Sequence, residues 1–290
     1  MKMNFKKTCI ALALAGGFVS VANAAPTVIS AGGTSATIDD SGLFSNSTAL
    51  GLTNNGLEYI NHGTWSSNYT LRDSTGIIAT ADQVGSTNPF GAADFGATAS
   101  AVSTSGSLGG WGYLSTVTTV APGHLVYAVT ITNHTGSESK GALWGFGFDP
   151  DQGIPGTGSF NTTNVIDGVG LLSSVTATSS DGYFVTLRDI TAANAQFVQP
   201  YVDPLACCSP IDPLTMYTTA QGVGNYGFFD HSINMAFTLG HNGVLQDHES
   251  TVLGYELIMG AVPEPETYAM FMAGLGLMGF IARRRKNGQS

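Results

Sequence analysis

Along much of the chain, short apolar or alternating runs are separated by clusters of Gly, Asn, Asp and Pro. Residues 125–132 (LVYAVTIT), 143–148 (LWGFGF), 183–187 (YFVTL), 233–239 (INMAFTL) and 251–259 (TVLGYELIM) carry the clearest pattern. Side chains on a strand point alternately to its two faces, and β-branched and aromatic residues pack well on a pleated surface, so these runs predict strands. They are bounded by Asn-His-Thr-Gly, Asp-Pro-Asp-Gln-Gly, Ser-Ser-Asp-Gly and Gly-His-Asn-Gly, residues that favour turns. Residues 36–38, 57–60, 67–71 and 76–80 predict shorter strands. No stretch of the body carries a 3.6-residue apolar period, so no helix is predicted there. Residues 85–123 are rich in Gly, Ser and Thr, yet Trp111 and Tyr113 within them read as core strand positions. The prediction is an all-β, antiparallel β-sandwich body.

Both ends depart from this pattern. Residues 1–7 hold three lysines, residues 8–21 are largely apolar, and Ala22-Asn23-Ala24 gives a small-x-small site. This is the form of a secretory signal peptide, with cleavage by signal peptidase expected between Ala24 and Ala25. A lipid-anchored precursor needs a cysteine at the end of the apolar run, whereas Cys9 stands near its start. At the other end, Pro263-Glu264-Pro265 precedes an apolar stretch, residues 268–282 (YAMFMAGLGLMGFIA), closed by Arg283, Arg284, Arg285 and Lys286. As a helix rising about 1.5 Å per residue, that stretch reaches roughly 22 Å, short of a hydrocarbon core of about 30 Å. It is expected to be a single short transmembrane helix, its basic end cytoplasmic and the body exported.

The order Pro-Glu-Pro, short Gly-containing helix, Arg-rich end resembles the PEP-CTERM sorting signal of Gram-negative bacteria. The resemblance is confined to about the last 28 residues of the chain. It implies recognition by exosortase, a membrane cysteine transpeptidase, with Pro263, Glu264 and Pro265 as the recognised motif. Arg283 to Lys286 would then be the stop-transfer element. The resulting division is a signal peptide at 1–24, an exported β-sandwich domain at 25–261 and a sorting signal at 262–290.

Charge follows the same division. Only 10% of the 290 residues are charged, against about 25% in ordinary soluble proteins. Seven of the ten bases sit in the two sorting ends, leaving Arg72, Lys140 and Arg188 in the body against 18 acids, a formal charge of −15. Nucleic acid is excluded as a partner, because phosphate binding needs a clustered basic face. An acidic body favours cations, and anionic polymers only through a divalent bridge.

Candidate chemistry in the body is sparse. Asp149 and Asp151 leave one predicted strand end together and are candidate Ca2+ ligands, although the further positions of an EF-hand loop are missing. Cys207 and Cys208 are adjacent in a Pro-rich loop flanked by two Asp-Pro-Leu triplets, and export permits either a vicinal disulfide or free or intermolecular thiols. His231 beside Asp230, and His248 between Asp247 and Glu249, match no zinc motif. No nucleophile elbow, P-loop or dinucleotide fingerprint occurs, so no catalytic residue and no cofactor beyond Ca2+ is expected. The expectation is an exosortase-processed surface or matrix protein, structural or adhesive and associated with exopolysaccharide in a biofilm. The rival expectations are an exported carbohydrate-active enzyme, or a calcium- or carbohydrate-binding module, delivered by the same tail.

Overall fold

The structure, a computed structural model, describes residues 26–45, 51–60, 67–82, 88–91, 94–152, 160–170, 172–191, 197–205, 207–261, 272–275 and 277–278. The signal-peptide residues with Ala22, Ala24 and Ala25, the motif Pro263-Glu264-Pro265, and Arg283 to Lys286 lie outside the described residues. Helical turns at 272–275 and 277–278 fall within the expected transmembrane stretch. Among the described residues no helix is long and apolar enough to cross a membrane.

The described strands are β1 (Thr27–Ala31), β2 (Thr34–Ile38), β3 (Leu52–Asn54), β4 (Leu57–Ile60), β5 (Ser67–Asp73), β6 (Gly76–Asp82) and β7 (Asp94–Ala97). There follow β8 (Ala101–Leu108), β9 (Trp111–Ala121), β10 (His124–Asn133), β11 (Ser139–Lys140), β12 (Leu143–Phe148), β13 (Thr162–Ile166) and β14 (Ser174–Ser179). The last are β15 (Tyr183–Asp189), β16 (Val198–Val202), β17 (Gly224–Phe229), β18 (Ile233–Thr238), β19 (Val244–Leu245) and β20 (Ser250–Ala261). The all-β, antiparallel expectation holds, and each run singled out in the sequence falls on a strand. Among its described residues the body contains one short helix, α1 (Pro213–Thr219), against the expectation of none. Its seven residues are under two turns, too few to display a period.

Two sheets form the sandwich. One has nine strands in the order β17-β13-β14-β15-β20-β10-β9-β8-β7, the other five in the order β16-β18-β12-β5-β6. Their inner faces meet through aromatic rings. Trp144 of β12 stacks across on Tyr113 of β9 at 5.7 Å, and Phe146 of β12 meets Tyr255 of β20 at 4.6 Å and Tyr127 of β10 at 5.1 Å. A four-stranded sheet, β1-β2-β3-β4, adds Ile29 and Ile38 to the same core, and Phe44, bridged to Ile38, lies edge-on to Tyr127. Trp111 and Tyr113 of β9 are buried there too, as their sequence context suggests.

The outer faces differ. On the nine-stranded sheet, hydroxyls pair across neighbouring strands: Ser103 with Thr116 at 2.9 Å, Thr176 with Thr186 at 2.9 Å and Thr132 with Ser250 at 2.8 Å. On the five-stranded sheet, α1 and the segment around it lie across the strands. Met216 packs with Tyr201 and Ala236, and Gly145 leaves room for Pro213 and Met216. Asp212 caps the helix by accepting from Leu214 N at 2.9 Å, Pro213 occupies its first turn, and Arg72 of β5 holds Asp212 at 2.6 Å. Gln221 grips the backbone of β16 at both Val202 N and Val202 O.

Candidate functional site

Strand register brings distant loops to one end of the five-stranded sheet. Phe148, the last residue of β12, pairs with Ile233, the first of β18, and Ile233 pairs in turn with Val202, the last of β16. The segments leaving β12, entering β18 and leaving β16 therefore share a corner. Asp149 and Asp151 leave β12, Asp230 precedes β18, and Cys207 and Cys208 follow β16. Asp203 N donates to Ser232 O at 3.1 Å, tying the cysteine loop to the segment that carries Asp230.

Asp149, Asp151 and Asp230 each bring a carboxylate oxygen within 4.8 Å of the other two. Asp149 is 5% exposed and Asp151 2% exposed, whereas Asp230 faces solvent. Oδ1 of Asp149 and Oδ1 of Asp151 are buried and have no hydrogen-bond partner. Pro150 between them contributes no N–H, and Asp151 N donates to Asp149 O at 3.2 Å, so a tight turn aims both side chains inward. Gln152, also buried, is fixed by its Nε2 donating to Ala177 O at 2.9 Å.

Burial dominates the electrostatics. It pushes Asp149 and Asp151 far above the ordinary carboxylate range, and repulsion from Asp230 adds to the rise in both. Asp149 is raised further by Asp151, and Asp151 by Glu58 of β4, which burial itself lifts to about 7. Asp230 is raised less, its burial opposed by the neighbouring His231. Without a cation, such a group keeps protons. A hard cation would replace them with one ion shared among oxygens.

Cys207 and Cys208 are joined as a vicinal disulfide, with Cα atoms 3.7 Å apart. Cys208 Sγ lies 3.4 Å from Asp149 Oδ2. A disulfide sulfur has no proton to donate, so this is a packing contact that walls one side of the cluster. The second Asp-Pro-Leu triplet, read in the sequence as loop, instead begins α1.

Of the residues proposed from sequence, Asp149 and Asp151 come together, with the disulfide beside them. Asp230 completes the cluster without any local sequence signal, and Glu58 acts on it only through its charge. The strand pairing of Phe148 with Ile233 is the signal that would have found Asp230. His231 stacks on Phe229 at 5.1 Å, while His248 faces His134 across 3.0 Å between their Nδ1 atoms, and neither belongs to the carboxylate group. A concavity of about 480 Å³, lined by Asn54, Leu57, Tyr59, Tyr183 and Gly260, lies where β20 ends.

Residues 261–286 match the family model described as the PEP-CTERM protein-sorting motif. The chain carries a PEP-CTERM sorting signal. The motif's match begins at Ala261, the last residue of β20, so the PEP-CTERM tail follows the folded body directly in sequence. It marks the protein for export and for exosortase processing, with transient retention at the membrane.

No curated protein matches the chain. Among solved structures, a putative aldose 1-epimerase from Escherichia coli K12 is 10% identical, with a TM-score of 0.41, covering 82% of this chain and 99% of that one. A GalM/aldose epimerase homologue from C. elegans is 10% identical with a TM-score of 0.40, covering 82% and 100%. The heparan sulfate lyase HepC from Pedobacter heparinus is 6% identical with a TM-score of 0.37, covering 80% of this chain and 30% of that one.

Proposed function

We propose that the PEP-CTERM protein is a structural component of the cell-surface or extracellular matrix layer, delivered by its tail and associated there with exopolysaccharide. In this reading residues 1–24 are removed by signal peptidase, 25–261 are the delivered domain, and 262–290 are the processed signal. The observation that carries it is the outer face of the nine-stranded sheet. That face presents cross-strand Ser and Thr hydroxyl pairs, with Arg188 neutralised by Glu256. Hydroxyl pairs spread over a face that also exposes Leu114, Val120 and Val252 exchange hydrogen bonds with water and with sugar hydroxyls on similar terms, which suits adhesion to a hydrated polysaccharide more than capture of one small ligand. Tyr69, Trp111, Tyr113, Trp144 and Tyr255 are locked between the sheets, whereas Phe228 and Phe229 on the edge strand β17 are exposed.

The test is mass spectrometry of the surface fraction together with sedimentation through the cells' own exopolysaccharide. The surface form should begin at Ala25, contain no peptide from Tyr268 onward, and co-sediment with the polymer. A mature protein that retains Arg283 to Lys286 would sink the processing route, and one that stays in the supernatant would sink the matrix role.

A further inference from the structure

We infer that Asp149, Asp151 and Asp230 bind one hard divalent cation, Ca2+, at the end of the covered five-stranded sheet. Three side chains from two separate segments converge within 4.8 Å of one another, a spacing that suits a shared ion between carboxylate oxygens. The independent observation is the orphaned pair Asp149 Oδ1 and Asp151 Oδ1. Both belong to side chains more than nine-tenths buried, yet neither accepts a hydrogen bond. Buried acceptors are almost always satisfied, and two orphans on facing carboxylates point to a partner that is not a protein group.

The donor chemistry selects the ion. All three ligands are carboxylates, which suit hard cations, and the two nearby sulfurs are tied up in a disulfide and so are not the thiolates a soft metal prefers. Three carboxylates can supply up to six oxygens when each chelates through both. Ca2+ accepts six to eight oxygens in irregular geometry, whereas Mg2+ demands a near-ideal octahedron. Asp230, exposed to solvent, gives the ion its way in. Bound there, Ca2+ would join the turn after β12 to the segment entering β18.

The experiment uses the full chain in detergent, stripped with EGTA and titrated with CaCl2 by calorimetry, with melting followed in parallel. One site per chain is expected. At about a hundred-fold excess over Kd, melting should rise by about 5–10 °C. Asp230→Asn, at an exposed position that leaves the fold intact, should abolish most of that rise and weaken binding at least tenfold. Asp151→Asn should do the same, while Asp167→Asn, outside the cluster, should change neither. The assignment is overturned if the wild-type chain shows no heat and no melting shift at millimolar Ca2+. It is equally overturned if the shift survives in Asp230→Asn and Asp151→Asn.

Discussion

The two sheets of the sandwich share one aromatic core but treat their outer faces differently. The nine-stranded sheet leaves its outer face to solvent, and β9 and β10 accordingly alternate, with Tyr113, Val117, Tyr127 and Val129 inside and Thr116, Thr118 and Thr130 outside. The five-stranded sheet is covered on both faces, and β12 reads as an unbroken buried run in which Trp144, Phe146 and Phe148 face the core while Gly145 and Gly147 make room on the other side. Open faces tolerate variation. Covered faces force close fits, and the acid cluster lies where the covered sheet runs out of strands.

The largest test of this contrast uses two glycines. A Cβ at Gly147 would collide with Asn234 Oδ1, while one at Gly112 of the open sheet would meet Thr132 Cβ at 3.4 Å. Gly147→Ala should cost about 1–3 kcal/mol, as overpacking does, and Gly112→Ala within about 0.5 kcal/mol of zero. Equal losses in urea unfolding would erase the distinction between the faces.

A second test follows from protonation. Asp149, Asp151 and Glu58 have folded-state pKa values raised above those of unfolded carboxylates. The folded, chelator-treated chain then binds more protons than the unfolded one from about pH 4 upward. Their stabilising contribution is complete below that pH. It is lost as pH rises through about 7 for Glu58, and higher for the two aspartates. Melting temperature in EGTA should fall between pH 5 and 8, with a shallower slope in Asp151→Asn. An identical slope in the variant would remove the cluster as its cause.

The smallest effect is expected on the open face. Thr116→Ala deletes the hydroxyl pair with Ser103 at a half-buried position and should change stability by no more than about 0.5 kcal/mol. A loss of 2 kcal/mol would mean that this face is covered after all.

The same contrast explains what could be read from the sequence. Strand β12 and the long inner positions of β10 and β20 stand out because apolar residues fill them. Strands β8, β13 and β14 do not, because their buried positions include polar residues satisfied within the fold. Thr104 donates to Asp40 O, and Asn164 exchanges hydrogen bonds with Thr162, so an inward position reads as outward. Helix α1 was signalled by Asp212-Pro213, a cap and a first-turn proline, but that pair is equally at home in a loop. In the candidate site, Asp149 and Asp151 were visible as neighbours. Asp230 reaches them only through strand register, and Glu58 only through the packing of a separate sheet, neither of which a local pattern encodes.

The placement of β20 has a mechanical consequence. It is the last strand before the tail, yet it lies inside the nine-stranded sheet, bonded to β10 over Ser250 to Ile258 on one side and to β15 over Tyr255 to Ala261 on the other. Any pull transmitted through the tail enters the body along this strand. A load along the strand axis shears the β15 ladder first and then passes through Tyr255 to Ile258, where both ladders share it, whereas an edge strand such as β17 has a single ladder. The attachment point is thus built as a two-sided lap joint.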